Sequence, residues 1–218
     1  MSEKVPCTAC QTLIMPSTAE RNAGLCMPCK NGNRENIEQA KAYYQKEREL
    51  DKTCPFRALW RDIVVRVYDD NQGFHTLSEA AQHYYAVNCL SGEVYNGGFI
   101  QYFDNSSGEH YAVAERGLEQ IGALHSLALL QQAKQAVFGD HPVPTDRDQR
   151  LAATDNPVAE ARLNQLDDEF YKDLDNLDIK LESYAIQTGL VNAIEWLRVY
   201  CEYFTQVIKR RVNLNYQY

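Results

Sequence analysis

The sequence has no long hydrophobic run and no surplus of positive charge. It contains no stretch of about 18 consecutive apolar residues, so we expect no membrane-spanning helix. The first residues lead into cysteines and polar side chains instead of the apolar segment of a signal peptide, which favours a cytoplasmic protein. The formal net charge is -8 and the pI is near 5.2, which argues against direct binding to nucleic acid or to membranes. This charge favours a basic protein as the partner.

The motifs of common enzyme classes are also missing. The chain has no H-E-x-x-H pair, no G-x-S-x-G elbow, no phosphate-binding loop and no G-x-G-x-x-G fingerprint. Its five histidines are scattered, and no two of them have the spacing of metal ligands on a helix. Many acidic residues could act as a general acid or base, but nothing in the sequence shows that two of them converge. We therefore expect a non-catalytic protein.

Cysteines provide the most specific signal. The chain has seven, and four of them form two C-x2-C pairs separated by residues 11–25, the usual gap of a four-thiolate zinc site. The predicted ligands are Cys7, Cys10, Cys26 and Cys29. Four thiolates leave no open coordination position, so the pattern indicates one structural zinc ion; a redox-active dithiol and a lost metal site are the alternatives. We expect this segment to contact protein.

Composition divides the chain into three parts. Residues 33–53 are rich in Glu, Lys, Arg, Gln and Ala with few apolar residues, which predicts a solvated connecting helix. The segment before it, residues 1–32, holds the four predicted zinc ligands, and the segment after it, residues 54–218, holds the main domain.

Apolar residues of the main domain recur every three or four positions, the period of a helix with one buried face. Thr76 and Glu79 have the spacing of a capping box. The predicted helices cover residues 56–67, 76–90, 109–121, 125–137, 158–174 and 190–208. Without any convincing strand pattern, the sequence predicts an all-α, multi-helix orthogonal bundle after a small zinc-ribbon-like or knuckle-like segment.

The stretch YNGGFIQYFDNSSGEHY, residues 95–111, combines glycines, amides and aromatic rings. Its glycines can end one helix and start the next at a sharp angle, so it is a structural corner in one interpretation. In the other, its amides and tyrosine line a pocket of a small-ligand binder or an enzyme, extending from Asn96 to His110. Loop amides usually satisfy backbone groups, which favours the corner. The residues of the motif are Asn96, Gly97, Gly98, Phe99, Gln101, Tyr102 and Asn105.

This stretch, with AERGLEQIGA at residues 114–123, resembles the hallmark of the helical bacterial family that contains the nineteen-kilodalton DNA-mimic protein. The resemblance covers about residues 55–210 and does not include the cysteine segment. It implies an all-helical homodimer whose acidic surface takes the place of DNA phosphates on a DNA-binding protein and so regulates transcription.

Acidic residues are concentrated between positions 140 and 182, where twelve of them stand against five basic ones. If one helix continues through this region, its leucines share one face and a row of carboxylates projects beside them. Such a row could occupy a basic protein, and an ordinary solvated face is the alternative. A partner protein of a toxin or complex, with incidental charge, is a further hypothesis. The predicted partner-binding residues are Glu160, Asp167, Asp168, Asp175, Asp178 and Glu182.

Overall fold

A computed structural model describes residues 3–69, 72–194 and 197. These residues form ten α-helices and one two-stranded sheet, which confirms the prediction of a mostly helical fold. No helix among them is both long and apolar enough to cross a membrane. The chain divides into two compact units, one ending at Thr53 and the other beginning at Cys54.

The N-terminal unit is a small cysteine-containing segment followed by a long helix. Its two strands pair antiparallel, with Val5 opposite Ile14. Helix α3 buries none of its residues, so it depends on good helix formers and on local ion pairs such as Arg34–Glu38, as predicted for the connecting helix. The elements are β1 (Val5–Pro6), β2 (Leu13–Ile14), α1 (Pro16–Arg21), α2 (Met27–Lys30) and α3 (Arg34–Thr53).

The second unit is built around one long helix, α5, which contacts α4, α6, α8, α9 and α10. Its Val87, Leu90, Val94 and Phe99 are completely buried, because apolar side chains on several sides of this helix meet the surrounding helices. The elements are α4 (Pro55–Val67), α5 (Glu79–Asp104), α6 (Tyr111–Gln120), α7 (Leu124–Phe138), α8 (Arg147–Thr154), α9 (Pro157–Phe170) and α10 (Leu177–Gln187).

Helix α5 differs from its prediction at both ends. Its N-cap is Ser78, whose hydroxyl accepts a hydrogen bond from the backbone N–H of Ala81. The predicted cap, Thr76, lies in a preceding 3₁₀ turn and donates its hydroxyl to the carbonyl of Gly73. The helix also continues beyond the predicted end at residue 90, because the apolar face that it buries extends to Phe103.

The predicted helix from residue 158 to residue 174 ends earlier in the structure, and no single helix continues from it to residue 182. Helix α9 ends at Phe170 and α10 begins at Leu177. Between them, Asp173 and Asn176 adopt positive φ angles of 44° and 53°, which no right-handed helix accommodates. Leu174 fits the periodic leucine pattern, yet 62% of its surface is exposed because it lies in this turn.

Helix α8 was not predicted from the sequence. Helix α8 follows two prolines that favour a loop, and Asp146 caps its start by accepting a hydrogen bond from the N–H of Gln149. Most of the last predicted helix, residues 190–208, lies outside the described residues.

Candidate functional site

The four predicted metal ligands converge in the N-terminal unit. Their sulfur atoms all lie within 4.8 Å of one another, with Cys7 and Cys26 buried and the other two partly exposed. The Sγ atoms of Cys10 and Cys26 are 3.7 Å apart. A tetrahedral ion bound at about 2.3 Å to each sulfur requires sulfur–sulfur distances of about 3.8 Å. The four cysteines therefore form a metal-binding arrangement.

The guanidinium of Arg34 contacts this cluster without being one of the four predicted metal ligands. Nη2 of Arg34 donates to Sγ of Cys10 over 2.8 Å and also to the hydroxyl of Thr12, while Nη1 contacts Glu38 at 3.2 Å. Hydrogen bonding with the side chains of Thr12 and Arg34 lowers the pKa of the Cys10 thiol to about 5. The first residue of α3 thus stabilises a thiolate, the form in which cysteine binds a metal.

The double glycine marks a break inside α5. Gly97 and Gly98 have non-helical backbone angles, and Gly98 has φ 79° and ψ -179°, a region that only glycine adopts readily. The backbone N–H of Phe99, which follows the break, donates to the carboxylate of Asp167 over 2.8 Å. Tyr171 lies four residues after Asp167, and its hydroxyl donates to the carbonyl of Val94, which precedes the break. The end of α9 therefore supplies partners to the backbone on both sides of the break.

The amides of the motif bind a carboxylate that the sequence analysis did not identify. Glu93 accepts hydrogen bonds from the side chains of Gln101, Asn105 and Ser107, the last two at 2.8 and 3.2 Å. Asn96 donates to Oε1 of Gln101 over 3.1 Å and extends this network. These contacts support the structural corner, because the amides expected to line a pocket are engaged with Glu93 or with one another. An acidic residue just ahead of the amide-rich stretch is the only signal that the sequence offered.

The aromatic members of the motif belong to the core. Phe99 and Tyr102 are completely buried. Burial raises the pKa of Tyr102, and its hydroxyl has no hydrogen-bond partner in the part of the chain that the structure describes. Neither ring is therefore positioned at the surface for a ligand from solution.

A buried arginine closes the C-terminal end of α5. Arg150, 1% exposed, donates to the carbonyls of Phe103 and Asn105 over 2.7 and 2.8 Å, and to those of Pro144 and Thr145 over 2.9 and 2.7 Å. The last carbonyls of a helix lack partners within it, so the guanidinium completes their hydrogen bonding. This role could not be found from the sequence, because the carbonyls bound at the end of α5 lie more than 40 residues away.

The part of the chain that contains the corner matches the sequence model of one known family. The model of the DMP19-like protein family matches residues 75–188, more than half of the chain. The chain belongs to the DMP19-like protein family. No curated protein and no solved structure matches it significantly. The family match begins after the cysteine cluster and includes the broken helix α5 together with its partners Arg150, Asp167 and Tyr171.

Within this DMP19-like domain, two of the six predicted partner-binding acids are used internally. Asp167 is buried against Phe99, as described above, and burial raises its pKa. Asp175 accepts a hydrogen bond from the N–H of Ser126 in the first turn of α7 and lies 3.7 Å from Lys180. Both were expected to project into solvent, and both instead cap helices that are distant in sequence. Nearby Asp173 caps α10 through the N–H of Leu177.

The other four predicted acids remain at the surface. Glu160, Asp168 and Asp178 are exposed, and none of the three forms an ion pair with another described residue. Glu182 is half-buried, and its pKa is raised by burial and by the neighbouring charge of Asp178. We call these four residues the acidic face; it is divided between α9 and α10 instead of following one helix.

An exposed pair of tyrosines accompanies these acids. The rings of Tyr95 and Tyr171 stack with centroids 5.8 Å apart and planes 24° apart. Burial and the charges of Asp173 and Asp178 raise the pKa of Tyr95, and burial and the charges of Asp167 and Asp168 raise that of Tyr171. The tyrosine pair therefore lies within the electrostatic influence of acids from both helices.

Proposed function

We propose that this DMP19-like protein is a non-catalytic regulatory binding protein of the bacterial cytoplasm. In this proposal the acidic face occupies a DNA-binding protein, or another basic protein, at the surface that would otherwise contact DNA. The observation that carries it is the exposure of Asp168 and Asp178 without an ion-pair partner among the described residues. Carboxylates that stay solvated in the free protein can accept the lysines and arginines of a partner.

Neighbouring lysines leave this charge largely uncancelled. Lys172 lies 2.6 Å from Glu169, and Lys180 lies 3.7 Å from Asp175. Each lysine therefore offsets an acid that is not part of the acidic face. The surplus negative charge stays with the exposed carboxylates, which gives the surface a potential that attracts positively charged proteins.

The separation of the carboxylates suits a partner with several basic side chains. Glu160 and Asp168 are eight residues apart on α9, which corresponds to about 12 Å along a helix axis. Asp178 and Glu182 are one turn apart on α10, or about 6 Å. Discrete anions at such intervals can engage the basic residues with which a protein contacts successive phosphates. Membership of the DMP19-like family is compatible with DNA mimicry. The resemblance described in the sequence analysis implies the same mode of action, regulation of transcription by a homodimer.

In the N-terminal unit, we propose zinc as the bound metal, in a structural role. Four thiolates at the spacing of a tetrahedral site favour this ion and leave no position open for a substrate. The unit is too small to fold by burial alone, so zinc would contribute a large part of its stability.

Capture from a bacterial lysate tests the proposed function. The immobilised full chain is incubated at low and at high salt, and the bound proteins are identified. We expect a basic DNA-binding protein that is released by high salt and by added duplex DNA, because salt screens the charges and DNA competes for the same basic residues. The absence of any partner that salt releases would contradict the proposal. A partner that resists both salt and DNA would favour the hypothesis of a protein complex in which charge is incidental.

A further inference from the structure

Two half-exposed tyrosines form a rigid aromatic surface beside the acidic face. Tyr95 is 48% exposed and Tyr171 45% exposed, and the two rings stack. Tyr95 also makes a T-shaped contact with buried Phe170, with ring centroids 5.6 Å apart, and the hydroxyl of Tyr171 donates to the carbonyl of Val94. Because both rings are already held in place, a ligand that stacks on them loses little side-chain entropy.

The carboxylates whose charges act on these rings lie on α9, on α10 and in the turn between them. Asp168 lies on α9 three residues before Tyr171, and Asp178 lies in the first turn of α10. Asp173, in the turn that joins the two helices, also acts on Tyr95. The aromatic pair thus combines an accessible π surface with negative charge that the local lysines do not cancel.

We infer that the Tyr95–Tyr171 pair and the adjacent Asp168 and Asp178 bind arginine side chains of a basic protein segment. A guanidinium is planar and weakly hydrated, so it can stack on an aromatic ring while its edge donates hydrogen bonds to a carboxylate. An ammonium group gains the charge interaction but stacks less well. The inference rests on the proposed function and adds a chemical preference to it: the acidic face selects arginine over lysine.

Two peptides of equal length and charge test this preference. One alternates arginine with glycine and the other lysine with glycine, and each is titrated into the full zinc-loaded chain by fluorescence anisotropy. We expect the arginine peptide to bind about fivefold more tightly, the size of a partly exposed cation–π contact. Asp168→Asn combined with Asp178→Asn should weaken both peptides, since it removes charge that both of them use.

Variants of Tyr95 separate the aromatic contribution from the charge. Tyr95→Leu keeps an apolar side chain but removes one of the two stacked rings, so it should reduce the preference for the arginine peptide over the lysine peptide. Tyr95→Phe keeps the ring and should retain the preference, while circular dichroism confirms that both variants fold.

Equal binding of the two peptides to the unchanged protein would overturn the inference, and so would an arginine preference that is undiminished in Tyr95→Leu. Neither result would affect capture of a basic protein from lysate, so the proposed function would stand. Binding of neither peptide would also overturn the inference. Loss of both the peptide binding and the lysate partner would overturn the two together.

Discussion

Replacement of Asp167 tests whether this acid belongs to the interior of the fold or to its binding surface. Its carboxylate accepts the N–H of Phe99, a residue with no exposed surface, at the break of α5. Asp167→Ala leaves this N–H without a partner, which costs about 1–3 kcal/mol for a buried donor. Part of that loss is offset because a buried charge is also removed. We expect the free energy of unfolding to fall by about 1–2 kcal/mol, a common range for loss of an N-cap.

Two matched variants make this prediction specific. Asp167→Asn keeps an oxygen that can accept the hydrogen bond, so its stability should stay within about 1 kcal/mol of the unchanged protein at neutral pH. Asp168→Ala removes an equal charge from the adjacent exposed position and should change stability by less than about 0.5 kcal/mol. Urea denaturation followed by circular dichroism measures all three. Equal stability of Asp167→Ala and Asp168→Ala would refute the assignment of Asp167 as a buried cap.

The pH dependence of Asp167 has a definite sign. Burial raises its pKa in the folded protein, with the hydrogen bond from Phe99 opposing the change only in part. The folded state therefore holds this proton more tightly than the unfolded state, whose pKa is about 3.9. The contribution of Asp167 to stability falls as the pH rises from the unfolded pKa through the raised folded one. The stability of Asp167→Asn relative to the unchanged protein should accordingly decrease as the pH is lowered from 7 towards 4.

Three further perturbations address the corner, the buried arginine and the metal. Gly98→Ala should cost more than about 2 kcal/mol, because φ is 79° and the new methyl group meets the carboxylate of Asp167. At Gly97 the φ angle is -161° and the methyl group meets the side chain of Gln101, so Gly97→Ala should cost less. Equal melting temperatures for Gly97→Ala and Gly98→Ala would contradict this. Arg150→Lys should lower the free energy of unfolding, measured by chemical denaturation, by about 2–4 kcal/mol, because one ammonium group cannot reach four carbonyls. The exposed control Arg147→Lys should lower it by less than about 1 kcal/mol. A similar decrease for both variants would argue against the role of Arg150. Elemental analysis should find about one zinc ion per chain. A chelator should unfold the N-terminal unit and leave the thermal transition of the unit beginning at Cys54 unchanged. Metal-free protein with four reduced thiols and an intact N-terminal unit would contradict the metal site.

Local patterns in the sequence were sufficient for the cysteine cluster and for the corner. The two C-x2-C pairs each form a short turn, and their separation alone predicted that four sulfur atoms would meet. Gly97 and Gly98 predicted the break in α5, because the required backbone angles depend on the residues themselves.

Features that depend on distant contacts could not be predicted in this way. The leucine period continues across the turn between α9 and α10, so it gave no sign that Asp173 and Asn176 would adopt positive φ angles. Asp167 looked like any other acid on a helix, since the N–H that it caps lies 68 residues earlier in the chain. In the same way, the sequence did not distinguish Arg150, which is buried in the core, from the solvated arginines.

The difference between buried and exposed acids also changes the interpretation of the charge itself. The segment from residue 140 to residue 182 remains acidic in composition, but Asp146, Asp167, Asp173 and Asp175 cap helices. Only the carboxylates that remain solvated are available to a partner, so the proposed function depends on a smaller surface than the sequence suggested.

Competition with DNA for a purified partner measures whether the acidic face takes the place of DNA. The captured DNA-binding protein is loaded with a labelled duplex, and displacement of the duplex is measured for the unchanged chain, for Asp168→Asn combined with Asp178→Asn, and for Asp148→Asn combined with Asp155→Asn. The Asp148 and Asp155 variant is the control, because it removes the same charge from exposed positions outside the acidic face. We expect the unchanged chain and the Asp148 and Asp155 variant to displace the duplex. The Asp168 and Asp178 variant should need at least about tenfold more protein for the same displacement, a loss of about 1.4 kcal/mol in binding free energy. Equal displacement by the two double variants would contradict this expectation.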